Sequence, residues 1–245
     1  MKVIALYNNK GGVGKTATSV NLAYMSALDG FNTLIWDLDS QGATTYYFRL
    51  SPKIKGGAKK LFNRQRDLEE NIKGTDFPLL DILPSDQSMR HQDLLLDEAN
   101  KPQKRIHKLL TPLAEEYDFV FIDCAPSMSL ASESIFHASD LLLIPTIPTT
   151  LSLLTLDKLH SFFKKNALPR ERLLAFFSMV DVRRQLHREI IKHPPHKFSF
   201  AKSYIPYISD IEKMGVEKKP ACTAPKSRSR QCYQALWEEI KRSLD

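Results

Sequence analysis

The sequence predicts an α/β protein, a doubly wound, mostly parallel sheet flanked by helices, built as one domain over residues 1–245. Three observations carry this expectation. Short, nearly continuous apolar runs recur along the chain between stretches of helical spacing, as expected for strands covered on both faces. A glycine- and lysine-rich loop, Lys10-Gly11-Gly12-Val13-Gly14-Lys15-Thr16, stands directly between the first such run and the first helical stretch. Two later runs end in aspartates, Asp37 and Asp123, at the strand ends where open α/β sheets bind ligands.

Taken in order, residues 3–7 (VIALY) form the first strand, and residues 17–28 a helix closed by Gly30. Residues 33–36 make a second strand that feeds the polar loop Asp37-Leu38-Asp39-Ser40-Gln41-Gly42. The stretch 51–75 is the least apolar and most charged, which predicts a surface helix with loops; whether it orders only on binding a ligand or partner is left open. Further strands are expected at 79–83, 119–122, 141–144 and 173–179, with a weaker one at 204–205. A last helix over 227–244 carries Tyr233, Leu236, Trp237, Ile240 and Leu244 on one stripe, which suits docking onto the core. Neither internal repeats nor low-complexity tails interrupt this pattern.

Composition narrows the class. The net charge is +7, and all of the excess lies in residues 183–245, which hold 14 Lys and Arg against 7 Asp and Glu. That concentration favours a polyanionic partner over a merely solvated surface. Cys124, Cys222 and Cys232 are isolated in sequence, so neither a disulfide framework nor a zinc site is expected and a reducing cytoplasm fits best. No window is apolar enough for a signal peptide or a membrane span.

The glycine loop has a specific chemistry. Its backbone N–H groups turn inward on phosphate oxygens, the helix start adds a positive dipole, Lys15 reaches the phosphates and Thr16 offers a hydroxyl to Mg²⁺. The expected phosphate-binding residues are Lys10, Gly11, Gly12, Val13, Gly14, Lys15, Thr16 and Ala17. The ordinary pattern G-x-x-x-x-G-K-[ST] is broken because Asn9 stands where its first glycine belongs, and a second lysine, Lys10, lies inside the loop. Period-two geometry places Asp37 and Asp39 on one side of a strand end, where a carboxylate can orient an attacking water or merely cap a loop. Phe119-Val120-Phe121-Ile122-Asp123 is four apolar residues and a carboxylate, a Walker B pattern suited to holding Mg²⁺ through its water shell.

K-G-G-V-G-K-T is the deviant Walker A motif, and with it the sequence resembles the ParA/MinD family of ATPases, a P-loop NTPase fold. The resemblance continues through Asp37-Leu38-Asp39-Ser40-Gln41-Gly42, where Ser40 replaces a usual proline, and through Ile144-Pro145, Met179-Val180-Asp181-Val182-Arg183 and Pro225-Lys226-Ser227, so it covers essentially the whole chain. It implies ATP and Mg²⁺ as cofactors, with Thr16, Asp39 and Asp123 around the metal. It implies Lys10, Lys15 and Asp39 as catalytic residues: Lys10 crosses a sandwich dimer to the partner's phosphates, and Asp39 is the hydrolytic residue supported by Asp37. Asp181 and Pro206 are the implied adenine neighbours, with Tyr207 standing where an arginine often follows the proline.

Within the family, the bridging cysteines of a nitrogenase-reductase type are missing, and the apolar stripe of the last helix is already committed to docking rather than to a membrane, so no stable membrane insertion is expected. A small ParA-like reading remains. It implies an ATP-dependent homodimer that is cytoplasmic and nucleoid-associated, binds nonspecific DNA, and works with a ParB-like or cargo-adaptor protein that stimulates slow hydrolysis. Such a switch segregates or positions a plasmid, chromosome or protein cargo. The expected DNA contacts are Lys226, Arg228 and Arg230 with Lys202, backed by Lys218 and Lys219. The chain begins at the first strand, so an operator-reading segment ahead of it is not expected. The alternatives are a MinD-like membrane-associated positioning ATPase and a metabolic ATP-dependent enzyme on the same fold.

Overall fold

Alternation along the central strand builds a core on each face of the sheet. In the computed structural model, which describes residues 1–63, 66–97 and 101–244, strand β1 (Lys2–Leu6) directs Val3 and Ala5 into one apolar layer and Ile4 and Leu6 into the other. Successive strand residues point to opposite faces, so a strand covered on both sides must be apolar throughout.

From β1 the chain proceeds through α1 (Lys15–Leu28), β2 (Thr33–Asp37), α2 (Ala43–Tyr47), α3 (Gly57–Asn63), α4 (Arg66–Glu69), β3 (Lys73–Gly74) and β4 (Leu80–Leu83). There follow α5 (Gln92–Asp97), α6 (Arg105–Leu110), β5 (Phe119–Asp123), α7 (Leu130–Ala138), β6 (Leu141–Thr146), α8 (Thr150–Lys165), β7 (Leu173–Phe177), α9 (Gln185–Lys192), α10 (Ser209–Glu217) and α11 (Arg228–Leu244). Among the described residues the strands form a seven-stranded sheet of order β3-β4-β2-β5-β1-β6-β7, parallel except at the β3–β4 edge. The doubly wound α/β architecture expected from the sequence is the one observed.

The strand order creates the site. The crossover from β1 to β2 passes β5 in one direction, and the crossover from β5 to β6 passes β1 in the other. Helix α1 packs in the layer of Ile4 and Leu6, and α7 in the layer of Val3 and Ala5. A crevice therefore opens at the carboxyl ends of β1 and β5, where the two crossovers diverge.

Helix α11 closes the α1 layer. Tyr233, Leu236, Trp237 and Ile240 are buried, Leu244 is half-buried, and the Trp237 indole N–H donates to Asp29 Oδ2 at 2.8 Å. Its ring meets Phe119 edge-on at 5.0 Å between centroids. The helix expected at 227–244 thus docks as its stripe predicts. Among the described residues no helix is long and apolar enough to cross a membrane.

Several expectations are corrected. Residues 204–205 are not a strand: Ile205 N–H donates to Phe177 O at 2.9 Å and Ile205 O accepts from Val180 N–H at 3.0 Å, but only an isolated bridge forms, between Val180 and Pro206. The reasons are local, because Met179 has φ 53° and leaves extended geometry, while Pro206 has no N–H to extend a ladder. For the same reason β7 ends at Phe177 rather than at residue 179. Leu79, with φ 60°, turns the chain just before β4 and is half-exposed at 48%. The stretch 51–75 is not merely surface, since Ile54, Ala58, Leu61, Phe62 and Leu68 are all in the core; Arg64 and Gln65 lie outside the described residues. Its lysines concealed apolar positions spread over α3, α4 and the turn before α3. The two-residue β3 has no apolar signature and was not foreseen.

Truncating Trp237→Ala removes a fully buried indole and orphans a hydrogen bond to Asp29, so it should lower unfolding stability by about 3–5 kcal/mol. Urea titration followed by circular dichroism measures this directly.

Candidate active site

Asn8, which follows β1, sets the course of the glycine loop. Its buried side chain donates from Nδ2 to Pro145 O at 2.9 Å and accepts the Lys10 N–H on Oδ1 at 2.9 Å, tying the loop's entry to the end of β6. Gly14 starts α1 with φ 92°, and a Cβ there would lie 2.8 Å from Ser178 Oγ. Glycine is thus required both by conformation and by space. Gly12 also has positive φ, 69°, and nothing crowds it. Val13 is buried.

Lys15 turns back over this loop, its ammonium donating to Lys10 O at 3.0 Å. Only 7% of the residue is exposed. Burial pushes its pKa down, and the nearby Asp123, Cys124 and Asp39 pull it back up. Held at the loop by a backbone carbonyl, the ammonium can turn its charge-assisted hydrogen bonds to phosphate oxygens.

The carboxylates occupy adjacent strand ends. Asp37 and Asp123 are partnered positions of β2 and β5, and both are buried. Asp37 Oδ2 accepts the Thr45 N–H at 2.8 Å and the Thr45 hydroxyl at 2.7 Å, and Ser85 N–H donates to that hydroxyl oxygen at 2.8 Å. Asp37 therefore anchors α2 to the end of β2 through Thr45. Asp123 accepts the Thr44 hydroxyl at 2.8 Å and the Ser19 hydroxyl at 3.3 Å. Both carboxyls are pushed well above the ordinary carboxylate range. Burial dominates each: for Asp37 the Asp123 charge adds to it while Thr45 opposes it, and for Asp123 the Thr44 and Thr16 hydroxyls and Lys15 oppose it.

Asp39 is placed by the same clamp. Its backbone carbonyl accepts the Ser85 hydroxyl at 2.5 Å, and its Oδ1 accepts the Gln41 N–H at 3.0 Å. Its half-buried side chain lines a cavity of about 410 Å³. Gly11, Gly12, Gly14, Lys15, Thr16 and Ala17 make the polar end of that cavity. The opposite end is apolar, formed by Tyr47, Met179, Ile205, Pro206, Ile211 and Tyr233, with the hydrogen-bonded pair Tyr207 and Glu212 beside them. A volume of this size suits a nucleotide-sized ligand with its phosphates on the loop.

The other predicted residues are placed as follows. Lys10 is half-buried and does not line the cavity. Asp123 lies behind the lining, near Thr16. Pro206 lines the apolar end, whereas Asp181 does not, and the Asp181 carboxylate is engaged by Arg183 Nε at 2.9 Å and Nη2 at 3.0 Å. Lys202 and Arg228 share a separate groove of about 260 Å³, while Lys226 is exposed and Arg230 half-buried nearby in sequence. Sequence reasoning missed Thr44, Thr45 and Ser85. The Ala43-Thr44-Thr45 run after the aspartate loop was the available signal, but no local pattern marks Ser85 as its partner.

The residues fit Mg²⁺ and a nucleoside triphosphate. A Cβ at Gly11 or Gly12 would meet nothing within 4 Å, so the space beside the loop is open to a ligand, and Thr16 stands between the cavity and Asp123. Among the described residues no group of three His, Cys, Asp or Glu side chains could cage a metal. A cation here would be held by Thr16, phosphate oxygens and water, with Asp123 behind the water, as is usual for Mg²⁺.

Comparison with known proteins follows this geometry. A sequence-family profile described as an AAA domain matches residues 1–173. The chain is 28% identical over 247 residues to the sporulation initiation inhibitor protein Soj of Bacillus subtilis, covering 98% of each. In fold it is similar to a putative plasmid partition protein of Borrelia burgdorferi bound to AMPPNP, with a TM-score of 0.84, 20% identity and 98% of each chain covered. It is also similar to the cobyrinic acid a,c-diamide synthase of Mycobacterium smegmatis with bound ADP and magnesium, with a TM-score of 0.82, 20% identity and coverage of 99% of this chain and 94% of that one.

The buried carboxyls impose a pH dependence on the ligand-free protein. The folded state keeps the Asp37 proton to higher pH than the unfolded chain, so this contribution to stability is complete below the ordinary carboxylate pKa and is lost as pH rises towards neutrality. Asp37→Asn keeps an acceptor for Thr45 and removes the charge. It should be more stable than the parent at about pH 8, with the gain shrinking as pH falls towards about 4; thermal unfolding across that range checks the sign.

Proposed function

Because the chain belongs to the ParA/MinD family of ATPases, we propose that it is an ATP-dependent dimerising switch of the small ParA-like, Soj-type branch, which binds nonspecific DNA and hydrolyses ATP slowly to segregate or position a cargo. One observation carries this reading. Lys10, the additional lysine of the loop, does not line the cavity of its own chain, whereas Lys15 does. A lysine beside the phosphate loop, its backbone pinned by Asn8 and its side chain outside the lining of its own cavity, supports a role on the phosphates of a second copy.

In this reading each residue has a defined task. The N–H groups of residues 11–16 hold the β and γ phosphates, and Lys15 exchanges its bond to Lys10 O for phosphate oxygens. Mg²⁺, when bound, neutralises phosphate charge. Thr16 and Asp123 would hold it, the Thr44 hydroxyl steadying the Asp123 carboxylate. The apolar end, including Pro206, receives the base. Asp39 positions water for in-line attack, where geometry matters more than basicity. Lys10 of each subunit stabilises charge on the other's nucleotide, so dimerisation and hydrolysis competence arise together.

The DNA-binding part of the proposal rests on charge and placement. Lys202 and Arg228 border one groove, Arg230 lies in the first turn of α11 with Arg228, and Lys226 stands two residues before that helix. A homodimer doubles that basic face, which suits contact with phosphates without base reading. A ParB-like or adaptor protein would stimulate hydrolysis and release the DNA, and the protein would then be cytoplasmic and nucleoid-associated.

Light scattering with ADP, ATP or a slowly hydrolysed ATP analogue, each with and without duplex DNA, tests the switch: only the ATP states should dimerise and bind DNA. Dimerisation in ADP, or ATP dimers that ignore DNA, would remove the reading. Lys15→Ala should abolish nucleotide binding, while Asp39→Ala should retain ATP binding and accumulate DNA-bound dimers. Charge reversal of Lys226, Arg228 and Arg230 should leave hydrolysis intact and flatten the salt dependence of DNA binding by about 0.9 in log–log slope per lost phosphate contact.

A further inference from the structure

A second cavity, of about 360 Å³, lies against β7, and none of its lining residues is shared with the nucleotide cavity. Its floor is apolar, formed by Ile144 of β6, Leu156 of α8, and Leu173 and Ala175 of β7. Its polar lining comes from three separate elements: His160 of α8, Arg170 and Glu171 of the turn before β7, and Lys197 and Ser199 of the segment that follows α9. That segment is fixed to β7, Ala175 N–H donating to Ser199 O at 2.9 Å and Ala201 N–H to Ala175 O at 2.8 Å.

The basic side chains converge and are partly preset. The Lys197 ammonium is oriented by Asp157 Oδ1 at 2.7 Å and lies 5.1 Å from the Phe198 ring centroid. The Phe198 ring in turn meets the His160 imidazole edge-on at 5.5 Å. The Arg170 guanidinium has no hydrogen-bond or ion-pair partner among the described residues, although its charge acts on His160. The lining thus gathers the exposed Arg170 and Lys197 side chains and the half-buried His160 imidazole around an apolar floor, with Glu171 beside them and Asp157 paired to Lys197. Arg170 is the cation there with no anion paired to it among the described residues.

We propose that this cavity is a second anion site that takes a phosphate group, held by the Arg170 fork, the Lys197 ammonium and a His160 ring N–H, with the apolar floor receiving the organic part of a phosphate ester. Arginine presents a planar pair of donors that matches phosphate oxygens, and the volume lies in the range of small-ligand sites. The phosphate can belong to a free small molecule or to the DNA backbone. Lys197 and Lys202 are five residues apart on one segment, at most about 18 Å if it is fully extended, so a backbone reaching this site would also pass close to the groove of Lys202 and Arg228.

The imidazole is a built-in reporter. His160 is held below its ordinary pKa by burial and by Arg170, Lys197 and Lys164, with Asp157 opposing them; Glu171 is the remaining charged group of the lining. A phosphate beside the ring reverses that balance, so its binding should raise the His160 pKa and tighten as pH falls.

The test uses the full chain saturated with Mg-ADP, so that the glycine loop is filled. Inorganic phosphate, glycerol 3-phosphate and a short duplex DNA are titrated separately while the His160 ring proton, assigned with His160→Asn, is followed by NMR. The expected result is a saturable shift and a raised His160 pKa with at least one probe. Arg170→Ala and Lys197→Ala should each weaken that binding about tenfold while ADP affinity is unchanged. A response to the two small phosphates alone identifies a free phosphate ester as the ligand, and a response to duplex that salt abolishes identifies the DNA backbone. Absence of a saturable His160 shift with all three probes, or equal affinity in Arg170→Ala, overturns the proposal.

Discussion

Two carboxylates at the ends of adjacent strands, shielded from water, govern the architecture of the nucleotide cavity. Asp37 and Asp123 face one another as partners of β2 and β5, and neither is a place where an isolated charge is stable. Lys15 supplies the opposite charge, and the hydroxyls of Thr44, Thr45 and Ser19 supply hydrogen bonds. Because Thr44 and Thr45 both belong to α2, satisfying the carboxylates also fixes the loop that carries Asp39. Ser85, from beyond β4, completes the clamp by holding both Thr45 and the Asp39 carbonyl. The position of the catalytic candidate is thus a consequence of the need to neutralise its buried neighbours.

The wall opposite the phosphate loop comes from the last third of the chain. Met179 turns out of β7 in a left-handed conformation, the segment around Pro206 runs back beside it, and Tyr233 reaches the cavity from α11. That helix is anchored by Trp237 against Phe119 and Asp29. It carries Arg228 and Arg230 in its first turn and Tyr233 one turn further on, so the basic surface and the cavity wall are parts of one rigid body. A ligand that moved Tyr233 would move the basic surface with it, which is the kind of physical connection a nucleotide-controlled switch needs.

Much of this was legible in the residues themselves. The loop 10–16, the aspartates at strand ends and the long apolar stripe of the last helix each have a local pattern, and each element lies within a residue or two of its expected place. The weak strand at 204–205 was misread because an apolar run of that length does not reveal whether a partner ladder is available, and Met179 and Pro206 deny it one. The charged stretch 51–75 was misread for the converse reason: its lysines obscure the few apolar residues that reach the core. Asp181 has the sequence context of a cavity residue, yet Arg183 two positions on draws its carboxylate aside.

The α/β layering and the phosphate-loop chemistry were readable in the residues alone, because both depend on positions close in the chain whose spacing follows from strand and helix periodicity, and the motifs at those positions carried the family resemblance. The absence of Lys10 from the lining of its own cavity, the bond from Ser85 to Asp39, and the meeting of His160, Arg170 and Lys197 around a second cavity came from packing alone. Those contacts join positions separated by long stretches of chain. They exist only once the sheet order has brought distant segments side by side, and that is a property of packing that no local pattern encodes.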